Sequence, residues 1–125
     1  MNKALKNILE RNSHRNLTDP IPSKDEMEKV FQAALRAPDH AWVRPSRFIQ
    51  VSGVGLQKLS DTFVEVAKES FEDLTDDKIE KYKNAPFRAP LIVILVSSKK
   101  DHPKVPWIEQ IISTGTAGQN IMLAL

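Results

Sequence analysis

Residues 89–96 read Ala-Pro-Leu-Ile-Val-Ile-Leu-Val, an apolar run that predicts the strand on which the fold is built. The run is rich in β-branched residues, which is typical of a central strand buried on both faces of its sheet. Pro90 marks its start, because proline lacks an amide donor and restricts the residue before it. A second strand is predicted over residues 48–51, closed by Gly53 and Gly55.

Helical periodicity surrounds these two strands. Residues 2–11, 56–72 and the stretch from Trp107 onward carry apolar residues at helical spacing. Residues 73–83 are densely charged, which predicts a solvated helix or a lid-like connection. The order of helices and strands predicts an α+β fold in which helices flank a mixed sheet that is incomplete in this chain.

A further helix is predicted to begin at Ser23. Glu26 follows three residues later, which is the spacing of a capping box. Pro38 ends this helix. Its apolar stripe is predicted to be a core face and consists of Met27, Val30, Phe31, Ala34 and Leu35.

The last predicted helix ends on apolar residues without a capping glycine or a basic last turn. Apolar residues at the end of a helix are more stable when they are buried. We therefore expect either that the sequence is truncated or that a partner covers its end.

Composition excludes several classes of function. Lys and Arg number 18 against 16 Asp and Glu, a balance that gives no electrostatic reason to expect nucleic-acid binding. The absence of cysteine excludes disulfides, thiol catalysis and cysteine metal sites, and it fits a cytoplasmic protein. No apolar run reaches the roughly 20 residues of a membrane span. The three histidines lack metal-ligand spacing, so no metal site is predicted.

Two polar clusters are candidates for ligand binding. Arg11, Ser13 and Arg15 alternate beyond the first helix, so that in an extended loop their side chains point the same way and offer donors to a phosphate. Arg36 and His40 bracket Pro38 at the end of the helix that begins at Ser23. The alternative for the arginines is that they are cations favoured at helix ends. The alternative for His40 is that it faces solvent or is bonded to Asp39.

The remaining acidic and aromatic residues are interpreted as structural or solvated. No dinucleotide fingerprint, phosphate loop or serine-hydrolase elbow occurs in the sequence. The acidic pairs Glu72-Asp73 and Asp76-Asp77 are expected to be solvated. Trp42 and Trp107 are expected to pack, with a ligand border as the alternative for Trp42.

Several segments occur in the order found in flavin-dependent nitroreductases. Arg11-Asn12-Ser13 resembles the Arg-x-Ser motif at the start of that family. Residues 36–40, followed by Arg44-Pro45, resemble the subgroup motif Arg-Ala-Pro-Asp-His-x-x-x-Gln-Pro-Trp. The other similar segments are residues 84–90, Lys104-Val105-Pro106 with Glu109-Gln110, and residues 118–120.

The resemblance implies an FMN-dependent oxidoreductase that passes a hydride from NAD(P)H to nitroaromatic, quinone or enone acceptors. It implies a homodimer with FMN at the interface and no catalytic acid or base. Arg11 and Ser13 would hold the phosphate and the ribityl chain, with Asn12 alongside. Arg15 would lie near the pyrimidine edge of the flavin, where a cation stabilises the reduced ring. Arg36 and His40 would line FMN from the other subunit.

The resemblance also contains departures. Arg44 stands where the subgroup has Gln, and Ser46 where it has Trp. Members of the family continue for about half as much again, so residues 1–125 would form one nitroreductase-like domain that lacks its C-terminal third. The alternatives are a non-catalytic flavin-binding protein and an inactive truncated fragment.

Overall fold

The computed structural model describes every residue from Met1 to Leu125. It contains five α-helices and two strands, and two short 3₁₀ turns lie at His40–Trp42 and Ala85–Arg88. The elements in chain order are α1 (Lys3–Glu10), α2 (Lys24–Ala34), β1 (Ser46–Ser52), α3 (Val54–Ser70), α4 (Asp76–Asn84), β2 (Leu91–Ser97) and α5 (Trp107–Ala124). The predicted α+β class is confirmed.

The sheet consists of β1 and β2 alone, paired in antiparallel fashion. Just beyond the two strands, the Ser98 amide donates to the Pro45 carbonyl at 2.7 Å. The prediction that β2 is buried on both faces is wrong in this structure. Its residues are half-buried and Leu95 is 41% exposed, because the strand has a single neighbour in the sheet.

The chain forms two compact units. Unit 1 comprises residues 1–13, 22–49 and 94–125, and unit 2 comprises residues 14–21 and 50–93. Each unit is described by itself.

In unit 1, α2 packs against α5. The predicted capping box is confirmed in both halves, since the Ser23 side chain accepts the Glu26 amide and the Glu26 carboxylate accepts the Ser23 amide. The predicted core face of α2 is buried at Met27, Val30 and Ala34. Phe31 is half-buried and stacks on Phe48 of β1, with ring centroids 5.6 Å apart, whereas Leu35 is exposed.

Helix α5 buries mainly small and polar residues on its inner face, together with one isoleucine: Gln110, Ser113, Thr114, Ala117, Gly118 and Ile121. Gln110 is only 1% exposed. Its side-chain oxygen accepts the Lys100 amide at 3.0 Å, and its nitrogen donates to the carbonyls of Lys100 at 2.8 Å and Val105 at 3.3 Å. The loop before α5 is therefore held by one side chain that satisfies three backbone groups.

In unit 2, α3 packs against α4 and against the 3₁₀ turn at residues 85–88. The fully buried Ser60 hydroxyl donates to the Lys83 carbonyl at 2.7 Å. Thr75 caps α4 by accepting the Lys78 amide, so the charged stretch is a helix. Gly53, at φ 53°, precedes α3, while Gly55 lies inside the helix. The prediction that both glycines close β1 is thus wrong for Gly55.

We predict that Gln110→Leu lowers the free energy of unfolding by about 2–4 kcal/mol, because it keeps the side-chain volume but leaves buried backbone groups unpaired. Urea denaturation of the full chain measures this. The control is Gln57→Leu, an exposed glutamine bonded to Asp61 on α3, which we expect to change stability by less than about 0.5 kcal/mol. Equal stability of Gln110→Leu and wild type would contradict the role of Gln110.

We also predict an acid-sensitive contribution from Glu26. The hydrogen bond from the Ser23 amide, then that from its hydroxyl, lowers the pKa of Glu26 below the ordinary value near 4.5. A lowered folded-state pKa stabilises the fold above the ordinary pKa, and this stabilisation is lost as the pH falls through the folded value. The stability advantage of wild type over Glu26→Gln should therefore be full at neutral pH and shrink as the pH falls below about 4.5. A pH-independent difference in urea denaturation would contradict this.

Candidate functional site

The first candidate cluster lies directly after α1, in unit 1. The Arg11 guanidinium donates through Nη1 to the Ser13 hydroxyl at 3.1 Å, so these two side chains lie on the same side of the chain, as the alternation predicts. The Asn12 side chain turns back and donates to the Glu10 carbonyl at 2.9 Å, which closes the end of the helix. A guanidinium beside a hydroxyl can donate several hydrogen bonds to a phosphate.

Arg15 belongs to unit 2 and lines an open groove there. The groove has a volume of about 860 Å³ and is also lined by residues of α4 and of the turn that follows it: Asp77, Lys78, Glu80, Lys81, Tyr82, Asn84, Ala85 and Arg88. Four of its side chains are cations and two are acids. Asn84, Ala85 and Arg88 lie in a segment that resembles the family, whereas the charged pattern of residues 73–83 predicts only a solvated or lid-like segment and does not indicate Lys78 and Lys81.

Arg36 and His40 lie in unit 1, and both are exposed. Helix α2 ends at Ala34, so Arg36 follows the helix rather than occupying its last turn. The Arg36 amide still donates to the Ala33 carbonyl at 3.1 Å. The His40 ring does not bond Asp39, which was one of its alternatives, but lies 2.7 Å through Nδ1 from the Glu109 carboxylate on α5. Only the fold brings these two residues together.

The loop after His40 has an unusual backbone. Ala41, Trp42 and Arg44 have φ of 53°, 55° and 55°, in the left-handed region that favours glycine. Such strain persists only where surrounding contacts impose it. Here α5 contributes through the Ser113 hydroxyl, which donates to the Pro38 carbonyl at 2.6 Å.

Two further contacts hold the same loop in place. Lys100 donates through Nζ to the Val43 carbonyl at 2.8 Å. The Asp39 carboxylate accepts the Arg44 amide at 3.1 Å. The loop between Pro38 and Arg44 is thus fixed by tertiary contacts and a local carboxylate rather than by the preference of its own residues.

Arg44 and Ser46 each make a defined contact in this structure. Arg44 places its guanidinium 4.7 Å from the centroid of the Trp42 ring, a cation–π contact. Ser46 shares a hydrogen bond with Thr114 of α5 at 2.9 Å. Trp42 is 77% exposed and Trp107 is also exposed, so the expectation that both tryptophans pack is wrong.

The outer face of α5 is apolar. Its exposed residues are Ile108, Ile111, Ile112 and Met122, and a Cβ built at Gly115 would meet open space. We call these five residues the outer stripe of α5. The stripe is unusual, because the helix buries polar side chains and exposes three of its four isoleucines, whereas Ile121 is buried. A contiguous exposed apolar surface is typical of interaction sites.

Helix α1 adds a second exposed apolar face to unit 1. Leu5, Ile8 and Leu9 share that face and all are exposed. The Asn7 side chain donates to the Leu123 carbonyl near the end of α5 at 2.7 Å. The two apolar faces therefore belong to helices that touch within one unit.

The structure brings no three His, Cys, Asp or Glu side chains together in a way that could hold a metal ion. None of its helices has both the length and the apolar character that crossing a membrane requires.

Comparison with known proteins places the chain in a family. The model of the nitroreductase family matches residues 8–125, and the chain belongs to that family. It is 35% identical over 121 residues to "Putative NAD(P)H nitroreductase YdjA" of Escherichia coli K12, and 38% identical over 124 residues to "Putative NAD(P)H nitroreductase" of Haemophilus influenzae. Each match covers 97% of this chain and 65% of the relative, so the chain spans slightly less than two thirds of their length.

Solved structures show the same fold. A nitroreductase-like family protein from Bacillus cereus aligns with a TM-score of 0.77 at 22% identity, over 99% of this chain and 64% of that one. A nitroreductase with bound FMN from Bacteroides fragilis aligns with a TM-score of 0.73 at 22% identity, with the same coverage. The nitroreductase-like α+β fold predicted from the sequence is confirmed.

Proposed function

We propose that this chain is part of an FMN-dependent oxidoreductase that passes a hydride from NAD(P)H to nitroaromatic, quinone or enone acceptors. The observation that carries the proposal is the pairing of Arg11 with Ser13 in the family's Arg-x-Ser motif. Family membership and the names of the two bacterial relatives support it. When bound, FMN supplies the chemistry by accepting a hydride and passing it to the acceptor.

The donor groups of the chain fit the chemistry of FMN. The phosphate of FMN is an anion with three acceptor oxygens, and the Arg11 guanidinium and Ser13 hydroxyl supply matching donors. We propose that Asn12 closes the turn that presents them, and that Arg36 and His40 contact FMN from the other subunit.

We propose that Arg15 faces the pyrimidine edge of the flavin, where a cation stabilises negative charge on the reduced ring. Arg15 lines a groove of unit 2 that has more cations than acids.

We further propose a homodimer, with the outer stripe of α5 as its contact surface and a second copy of the chain as the occupant. A two-fold interface is self-complementary, so one apolar stripe can pack against its own copy. Gly115 in the stripe would let two helices approach closely. We place the protein in the cytoplasm, where its lack of cysteine is unremarkable.

The FMN proposal is tested by titrating FMN into the full chain and following flavin fluorescence. We predict that Arg11→Ala and Ser13→Ala each weaken FMN binding, Arg11→Ala by about ten- to a hundredfold, since a hydrogen bond to a charged group contributes about 1.5–3 kcal/mol. The control, Lys29→Ala, removes an exposed cation from α2 and should bind like wild type.

Activity is tested on the FMN-loaded protein. NAD(P)H should bleach the flavin absorbance, and a nitroaromatic should restore it. Flavin that binds but is not bleached would instead favour the non-catalytic flavin-binding alternative. A chain that takes up no FMN would overturn the proposal for this chain.

The dimer proposal predicts that Ile112→Glu converts the protein to a monomer, because a buried unpaired carboxylate in an apolar interface is strongly unfavourable. Ile112 is 61% exposed within one chain, so the substitution leaves the fold of the chain intact. Light scattering after size exclusion measures the mass. Val54→Glu, at an exposed apolar position of unit 2, is the matched control. A monomeric wild-type protein would contradict the proposal.

A further inference from the structure

His40 has one well-defined tertiary partner. Its Nδ1 atom lies 2.7 Å from the Oε2 atom of Glu109, a residue of the first turn of α5. Both side chains are about half-exposed. The two residues are 69 positions apart in the chain, so the contact depends on how α5 packs in unit 1.

The chemistry of this contact assigns a proton to the Nδ1 atom of His40. A carboxylate only accepts hydrogen bonds, so Nδ1 must carry a proton and donate it to Glu109. In the neutral imidazole, Nε2 is then the acceptor nitrogen. Glu109 thereby determines which nitrogen of His40 is available to a ligand.

The other carboxylate near the ring in sequence is already engaged. Asp39 accepts the Arg44 amide through both oxygens, at 3.1 and 3.3 Å, and its carboxylate also lies 3.8 Å from the Arg44 guanidinium. The adjacent Ala41 and Trp42 have left-handed backbones. The orientation of the His40 ring is thus imposed from α5 and not by its sequence neighbours.

We propose that Glu109 is a positioning residue for His40, holding the Nδ1–H so that Nε2 is presented as an acceptor to a hydroxyl or N–H donor of the flavin cofactor. This inference rests on the proposed function for its ligand. The proton on Nδ1 follows from the contact with Glu109 and does not depend on FMN, which allows the two to be tested separately.

The first test observes the tautomer in the full chain without FMN. Long-range proton–nitrogen NMR at about pH 9, above the ordinary titration range of histidine, distinguishes Nδ1–H from Nε2–H rings. His102 is an internal reference, because its Nδ1 accepts the Lys104 amide at 3.2 Å and its proton must therefore be on Nε2. We expect His40 and His102 to show opposite tautomers, with the His40 signals assigned by their loss in His40→Gln.

Two variants of Glu109 test whether a hydrogen-bond acceptor at this position sets the protonated nitrogen of His40. Glu109→Ala should release His40 from the Nδ1–H state. Glu109→Gln should retain that state, because its amide oxygen still accepts the proton. Glu28→Ala, which removes an exposed carboxylate from α2, should leave the spectrum unchanged. An Nε2–H ring in wild type, or a Glu109→Gln spectrum like that of Glu109→Ala, would overturn the proposal.

The second test measures FMN affinity. We expect Glu109→Ala to weaken binding about two- to tenfold, as for the loss of one ordinary hydrogen bond, and Glu109→Gln to bind like wild type. Unchanged affinity in Glu109→Ala, alongside weakened affinity in Arg11→Ala, would overturn the cofactor role of Glu109 while leaving the proposed function standing. If wild type binds no FMN, the proposed function fails together with the cofactor role, and the tautomer result still decides whether Glu109 sets the His40 ring.

Discussion

The packing of unit 1 depends on one buried side-chain amide, that of Gln110. Gln110 faces inward from the first turns of α5 and satisfies three backbone groups of the loop that precedes the helix. Within a dry interior, each of these groups would be costly without a partner. The same helix then bonds Pro38 through Ser113 and β1 through Thr114. The position of α5 and the shape of the loop around His40 are therefore parts of one hydrogen-bonded arrangement.

This arrangement explains why α5 exposes three of its four isoleucines. Its inner face bonds a loop, a strand and a neighbouring helix, so most residues on that face are polar or small. Gly118 is an example of a small residue on this face, because a Cβ there would meet a methyl carbon of Leu95 and the Leu95 side chain would have to move. The large apolar residues occupy the remaining face, where they form a stripe that a second copy of the chain can cover. One helix thus serves the candidate site on one side and the proposed dimer contact on the other.

Side-chain contacts in unit 1 also explain the Glu109-Gln110 segment, which resembles the family. Glu109 and Gln110 are adjacent in sequence but make different contacts. Glu109 contacts His40, and Gln110 holds the loop that precedes α5. Arg44 and Ser46 are both bonded within unit 1. The Arg44 guanidinium stacks on the Trp42 ring at the surface.

The sequence alone determined those features that depend on local patterns. The capping box at Ser23 follows from residues three apart, and the helices and strands follow from apolar periodicity. The ordered motifs identified the family, and the alternation after the first helix indicated that Arg11 and Ser13 share a side. Tertiary structure decided the rest, because burial and long-range pairing are set by partners distant in the chain. The exposure of β2, the outward isoleucines of α5 and the ring partner of His40 could not be predicted, since the relevant contacts join residues tens of positions apart.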